Sequence, residues 1–97
     1  MKKIAIFGST GSIGSSLLKI IKDDKKNFKI ELLTANKNYK KLIKQVKFFN
    51  VKNIVVTDYN SFLITTKLLK NTKVKVFKNF DSLNKIFNIN NKIDYSM

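Results

Sequence analysis

Cysteine is absent from the 97 residues, so neither a disulfide framework nor a thiolate metal site is open to this chain, and the reducing cytosol is the default compartment. Histidine is absent too, which removes the commonest general base and metal ligand. Proline, tryptophan and arginine are missing as well, so all 20 basic residues are lysines. No apolar run approaches the roughly 20 residues a membrane-spanning helix needs. Lys2 and Lys3 are followed only by residues 4–7 before Gly8, far too short for the apolar core of a signal peptide.

The six carboxylates leave a net charge of +14. Such a balance invites a nucleic-acid reading, but its make-up points elsewhere. Arginine is the residue favoured for bidentate phosphate and base contacts, and there is none. Lysine and asparagine together dominate the polar residues, as an AT-biased coding sequence produces on solvated surfaces. The charge is also spread along the chain: twelve lysines face three carboxylates in residues 1–48, and eight face three in 49–97. No nucleic-acid partner is expected.

What is present is apolar and periodic. At 43% hydrophobic with eight phenylalanines, the chain can bury a core. At this length it makes one domain of marginal stability. Residues 4–7 form an apolar run without polar alternation, as expected of a strand buried on both faces. Residues 8–12 break it. Ile13, Leu17, Ile20 and Ile21 then recur at helical spacing, with Lys19, Lys22, Asp23 and Asp24 toward water. Residues 28–34 read as a second strand and 35–38 as a loop, with Asn38 placed to cap the next helix. In that helix Tyr39, Leu42, Ile43 and Val46 lie opposite Lys40, Lys41, Lys44 and Lys47. Residues 53–57 and 74–77 read as strands, and 61–70 as a helix of weaker periodicity. Asp81 would cap a short helix carrying Leu83, Ile86 and Phe87, and 93–97 would open a fifth strand. The chain thus reads as an incomplete domain, a fragment ending inside a sheet. Strands alternating with helices across short connections imply βαβ units, hence an α/β, doubly wound parallel sheet with helices on both faces.

All three glycines of the chain, Gly8, Gly11 and Gly14, fall three residues apart at the first strand's carboxyl end. Such ends are where ligands bind in doubly wound sheets. Gly8 lets the chain turn off the strand, Gly11 lets the backbone approach a diphosphate, and Gly14 lets the helix lie close. The free amides around Ser12 and Ile13 offer the positive end of a helix dipole, and Ser9, Thr10 and Ser12 add hydroxyls. This is the dinucleotide-binding context of the Rossmann-like fold. A P-loop would close on Gly-Lys-Ser/Thr, whereas Gly14 is followed by Ser15 and Ser16.

The end of the second strand selects the dinucleotide. An NAD site usually carries a carboxylate there for the ribose 2′-hydroxyl. Residues 33–38 contain none, and Glu31 lies earlier in the strand. Lys37 offers a cation for a 2′-phosphate, flanked by Asn36 and Asn38, which favours NADPH. The alternative is that Lys37 is one surface lysine among many.

GSTGSIG after a hydrophobic strand, with Ala35-Asn36-Lys37-Asn38 about 20 residues later, resembles the N-terminal domain of the 1-deoxy-D-xylulose 5-phosphate reductoisomerases. Ile20-Ile21, Phe28, Phe48, Phe49 and the closing Asp94-Tyr95-Ser96-Met97 extend the resemblance over the chain. It implies the NADPH-binding part of an oxidoreductase that isomerises and reduces 1-deoxy-D-xylulose 5-phosphate to 2-C-methyl-D-erythritol 4-phosphate, in non-mevalonate isoprenoid biosynthesis. It also implies a cytoplasmic homodimer that takes a phosphosugar and uses Mg²⁺ or Mn²⁺. Cofactor contacts would fall on Gly8, Thr10, Gly11, Ser12, Ile13 and Gly14 in the turn, and on Asn36, Lys37 and Asn38 in the loop. Asn36 stands where the family commonly has glycine, and asparagine tolerates positive φ. The family's metal carboxylates, substrate-phosphate site and lid would lie beyond residue 97. Asp23, Asp24, Asp58, Asp81 and Asp94 read as caps or solvated charges, so no catalytic or metal residue is assigned here.

Two alternatives stay open. One is the cofactor domain of an aspartate-semialdehyde dehydrogenase or short-chain reductase, which a downstream catalytic Cys or a Tyr-x-x-x-Lys would mark. The other is a basic nucleic-acid-binding module, which would bind with a steep salt dependence.

Overall fold

The computed structural model describes residues 2–24, 26–79 and 95–96. Strand β1 (Lys2–Ile6) leads through the glycine turn into helix α1 (Ser12–Lys22), and β2 (Phe28–Ala35) into α2 (Tyr39–Phe49). Strand β3 (Asn53–Val56), helix α3 (Tyr59–Leu68), β4 (Lys75–Phe77) and β5 (Tyr95–Ser96) follow. The expected helix at Asp81 lies outside the described residues.

All described pairings are parallel, in the order β4-β3-β2-β1-β5. From β1 the chain steps outward to β4, then places β5 on the other side of β1. The order therefore reverses at β1, and the crevice beyond its carboxyl end is the ligand position of a doubly wound, Rossmann-like α/β sheet. The glycine turn starts there.

Residues 4–6 of β1, 32–33 of β2 and 54–56 of β3 are apolar and buried, the pattern of strands covered on both faces. One face carries the large core: Ile4, Ile6, Ile30, Leu33, Ile54 and Val56 pack with Leu18 and Ile21 of α1, Leu42 and Val46 of α2, and Phe62 and Leu69 of the α3 region. Ala5, Leu32 and Val55 form the opposite face with Phe77 against them, and all three are fully buried. Among the described residues, α1, α2 and α3 thus serve the first face. The pairing of β1 with β2 shifts register between Ile4 and Ala5, skipping Glu31. That one-residue bulge lets Ile30 and Leu33 join the same core although they are three apart.

Helix α1 departs from the spacing-based expectation. Leu18, Ile21 and Gly14 are buried, whereas Ile13 is 80% and Ile20 66% exposed. The reason is Gly14. A Cβ there would stand 2.5 Å from the Gly8 carbonyl oxygen and 2.6 Å from Ser9 Cα. The helix is seated against the turn at the one position without a side chain. Leu18 and Ile21, four and seven residues on, share that face.

In α2 the expected stripe is found, with Leu42 and Val46 buried and Tyr39 and Ile43 half-buried. Helix α3 runs against its composition. Ser61 and Thr65 are buried, while Leu63, Ile64 and Leu68 are largely exposed. The buried hydroxyls are satisfied locally: Thr65 Oγ1 donates to the Ser61 carbonyl at 2.6 Å, and Ser61 Oγ to Asp58 at 2.8 Å. Phe48 and Tyr59 are about half and two-thirds exposed.

Candidate functional site

Gly8 adopts φ +68°, a left-handed conformation that strains any residue with a Cβ. It turns the chain off β1, as its place in the motif predicts. Gly11 is the N-cap residue of α1 in extended conformation, and no side chain caps the helix. The other two described helices are capped, α2 by Asn38 accepting from the Lys41 amide and α3 by Asp58 accepting from the Ser61 amide. The first amides of α1 are therefore the uncapped donors of the set, and they carry the positive end of the helix dipole. They border a cleft of about 400 Å³ walled by Phe7, Gly8, Gly11, Ser12, Ile13, Gly14 and Leu17. The exposed Ile13 and Phe7 give it apolar sides.

The loop at Asn36 to Asn38 follows β2, the neighbour of β1, so both segments emerge from the same end of the sheet. It is held by the β3–α3 connection. The Thr57 amide donates to the Ala35 carbonyl at 3.0 Å and the Asp58 amide to that of Asn36 at 3.3 Å. Thr57 Oγ1 donates to Asn36 Oδ1 at 2.9 Å, and Ser61 Oγ to the Lys37 carbonyl at 3.3 Å. Lys37 is exposed and lies within electrostatic range of Asp58. The Asp58 carboxyl is held below its ordinary value chiefly by the Ser61 hydroxyl, then by the Ser61 amide, with the Lys37 charge adding to both. Asn36 has no need of the positive φ its identity allows: among the described residues Asn50 alone of the non-glycines adopts one, at 56°. Glu31 is turned to Lys29 at 3.4 Å, in mid-strand and away from this end.

Ser9 differs from what its position beside Thr10 and Ser12 predicts, a hydroxyl offered to ligand: it is fully buried. Its hydroxyl donates to Gln45 Oε1 at 2.8 Å, and Gln45 Nε2 donates to the Ser9 carbonyl at 2.9 Å. On the other side, the Ser9 amide donates to the Thr34 carbonyl at 3.0 Å and the Gly8 amide to Thr34 Oγ1 at 2.8 Å. Lys41 Nζ reaches the Thr10 carbonyl at 3.1 Å. Thr34, Lys41 and Gln45 are thus parts of the site that motif reading passes over. Only their placement beside the turn reveals them. A second groove, of about 350 Å³, lies between α1 and α2, with Leu18, Phe48 and Phe49 in its lining beneath four lysines. It shares no lining residue with the cleft at the glycine turn.

The profile of one protein family, 1-deoxy-D-xylulose 5-phosphate reductoisomerase, matches residues 4–96. The chain belongs to this family. The reductoisomerase of Pelagibacter ubique (strain HTCC1062) is 92% identical over all 97 residues, which make up 25% of that protein. That of Clostridium botulinum (strain 657 / Type Ba4) is 39% identical over 85 residues, 86% of this chain and 22% of the relative. The chain therefore spans about a quarter of the length of the curated reductoisomerases it matches. Among solved structures, the reductoisomerase from Zymomonas mobilis in complex with NADPH superposes with a TM-score of 0.78 at 29% identity, over 88% of this chain and 22% of that one. A reductoisomerase in complex with NADPH, fosmidomycin and magnesium superposes at 0.80, over 89% of this chain and 21% of that one. At 24% identity, that likeness concerns the fold. The resemblance carried by GSTGSIG and Ala35-Asn36-Lys37-Asn38 is that of a reductoisomerase.

Proposed function

We propose that the chain is the NADPH-binding part of an oxidoreductase that isomerises and reduces 1-deoxy-D-xylulose 5-phosphate to 2-C-methyl-D-erythritol 4-phosphate, a step of non-mevalonate isoprenoid biosynthesis. The observation that carries the reading is the uncapped N-terminus of α1 opening on a cleft at the point where strand order reverses, with Lys37 at the end of the adjacent strand. These residues fit a dinucleotide. The amides of Ser12 and Ile13 hold the diphosphate, with Gly11 leaving room and the Thr10 and Ser12 hydroxyls beside them. Gly8 and Gly14 shape the turn. Lys37 neutralises the 2′-phosphate, and Asn36 and Asn38 hydrogen-bond the adenosine ribose and phosphate. When bound, NADPH supplies the hydride for reduction.

The substrate half of the chemistry is assigned outside residues 1–97. Among the described residues no three His, Cys, Asp or Glu side chains gather as a metal site, so no ligand to the divalent cation is assigned here. Family membership supports a homodimer in the cytoplasm. No helix among the described residues is long and apolar enough to cross a membrane.

Calorimetric titration of the chain with NADPH and NADH tests the reading. NADPH is expected to bind more tightly, and Lys37→Ala to remove that preference at a loss of about tenfold or more in NADPH affinity, as for a charge-assisted contact. Equal affinity of the unaltered chain for the two cofactors would remove the role given to Lys37.

A further inference from the structure

We propose that Gln45 is a positioning residue for the dinucleotide, clamping the turn after β1 to α2 and so setting the diphosphate amides at a fixed place relative to the loop at Asn36 to Asn38. The inference rests on the NADPH reading and adds a residue that touches no ligand. Ser9 is the pivot. It is fully buried, and both of its polar main-chain groups and its hydroxyl are spoken for from outside the turn. The hydroxyl donates to Gln45 Oε1 at 2.8 Å, the carbonyl accepts from Gln45 Nε2 at 2.9 Å, and the amide donates to the Thr34 carbonyl at 3.0 Å. Because the two ends of one carboxamide meet a donor and an acceptor of a single residue, the Gln45 amide has one orientation that satisfies both.

The place of Gln45 in the chain gives the clamp its consequence. Helix α2 begins directly after Asn38, whose side chain caps it. Lys41 and Gln45, three and seven positions further on, share one helix face. From that face Lys41 meets the Thr10 carbonyl and Gln45 meets Ser9. A single stiff helix thus ties the loop offered to the 2′-phosphate to the turn offered to the diphosphate. Ordering the turn before the ligand arrives spares the entropy of ordering it on binding, and affinity rises accordingly. A side chain that only stabilised the fold would leave the affinity of the folded protein unchanged.

The test compares Gln45→Ala, Gln45→Met and Gln45→Glu in the 97-residue chain, with melting temperature, amide hydrogen exchange and NADP⁺ titration as readouts. Gln45→Ala is expected to weaken NADP⁺ binding about tenfold, the loss of a half-buried two-point contact, and to speed exchange at the Ser9 to Gly11 amides more than in β3. Gln45→Glu keeps an acceptor for the Ser9 hydroxyl but, when ionised, has no donor for the Ser9 carbonyl. Protonation restores that donor. Its affinity, relative to the unaltered chain at the same pH, should therefore recover as pH falls through the carboxylate range, while Gln45→Met stays weak throughout. Should Gln45→Ala fail to fold, the Glu and Met pair decides. Wild-type affinity in a folded Ala or Met variant, or a Glu variant whose relative affinity is flat with pH, would overturn the proposal. Absence of any dinucleotide binding by the unaltered chain would instead sink the NADPH reading. The exchange comparison would still judge the clamp, with unchanged protection of the turn overturning it.

Discussion

Gly14 shows how much of this architecture turns on single atoms. The backbone of Gly8 and Ser9 occupies the place its Cβ would take, and a main chain pinned by hydrogen bonds to Thr34 and Gln45 has little room to yield. Gly14→Ala would gain up to about 1 kcal/mol of helix propensity, yet the overlap forces α1 off the turn. We expect a net loss of about 1–3 kcal/mol, read as a lowered melting temperature. Gly8→Ala makes a contrasting control, since nothing lies within 4 Å of a Cβ there and only the positive φ opposes it. Its cost should be about 1–2 kcal/mol of backbone strain. A Gly14→Ala chain as stable as the unaltered one would show that the close packing of helix on turn is not required.

At the scale of elements, the helices differ in how their first turns are satisfied, and the difference has a pH signature. Asp58 accepts from both the amide and the hydroxyl of Ser61 at 3.0 and 2.8 Å, bonds that favour its charged form and depress its folded-state pKa. A depressed carboxylate contributes stability that is fully present above its unfolded value, 3.8, and is lost as pH falls through the lower folded value. Asp58→Asn retains a capping oxygen but cannot titrate. The stability advantage of the unaltered chain over this variant should therefore be constant from neutral pH to about pH 5 and shrink below pH 4. Denaturant melts at stepped pH measure it; a gap that widens with acid would contradict the assignment. The same Asp58 sits by Lys37, so Asp58→Asn should also leave the Lys37 charge more available to a 2′-phosphate.

For the whole molecule, the charge of +14 and the cofactor site make separable claims. Lysines scattered over all described helices give weak, sequence-independent attraction to polyanions, which counterion release makes steeply salt-dependent. Binding of the chain to duplex DNA should accordingly vanish by about 0.2 M salt, while NADPH binding survives. DNA affinity that persists at that ionic strength would favour the basic-module reading. The second claim concerns turnover. With no histidine and no carboxylate pair assigned as acid and base, the 97 residues should bind NADPH yet consume none when 1-deoxy-D-xylulose 5-phosphate and Mg²⁺ are added. Oxidation of NADPH in that assay, followed by absorbance, would refute this division of labour.

Much of this was legible in the residues because it is local. Alternating apolar runs and helical stripes set the strand and helix order, and three glycines at one spacing marked the turn, since φ freedom and the missing Cβ belong to glycine wherever it stands. The lack of a carboxylate at the end of β2 is likewise visible in the sequence, and the role proposed for Lys37 starts from it. What tertiary structure alone decided was orientation and partnership. The rotation of α1 that buries Leu18 and leaves Ile13 and Ile20 in water follows from the contact of Gly14 with another segment. The burial of Ser61 and Thr65 ahead of Leu63 and Ile64 follows from which face of α3 meets the core, the side that also carries Phe62 and Leu69. Ser9 and Gln45 are 36 positions apart in the chain, and no periodicity links them. Their bond exists because the sheet sets β1 beside β2, which brings α2 alongside the turn, and a buried polar group must find its partner among whatever the fold has brought near.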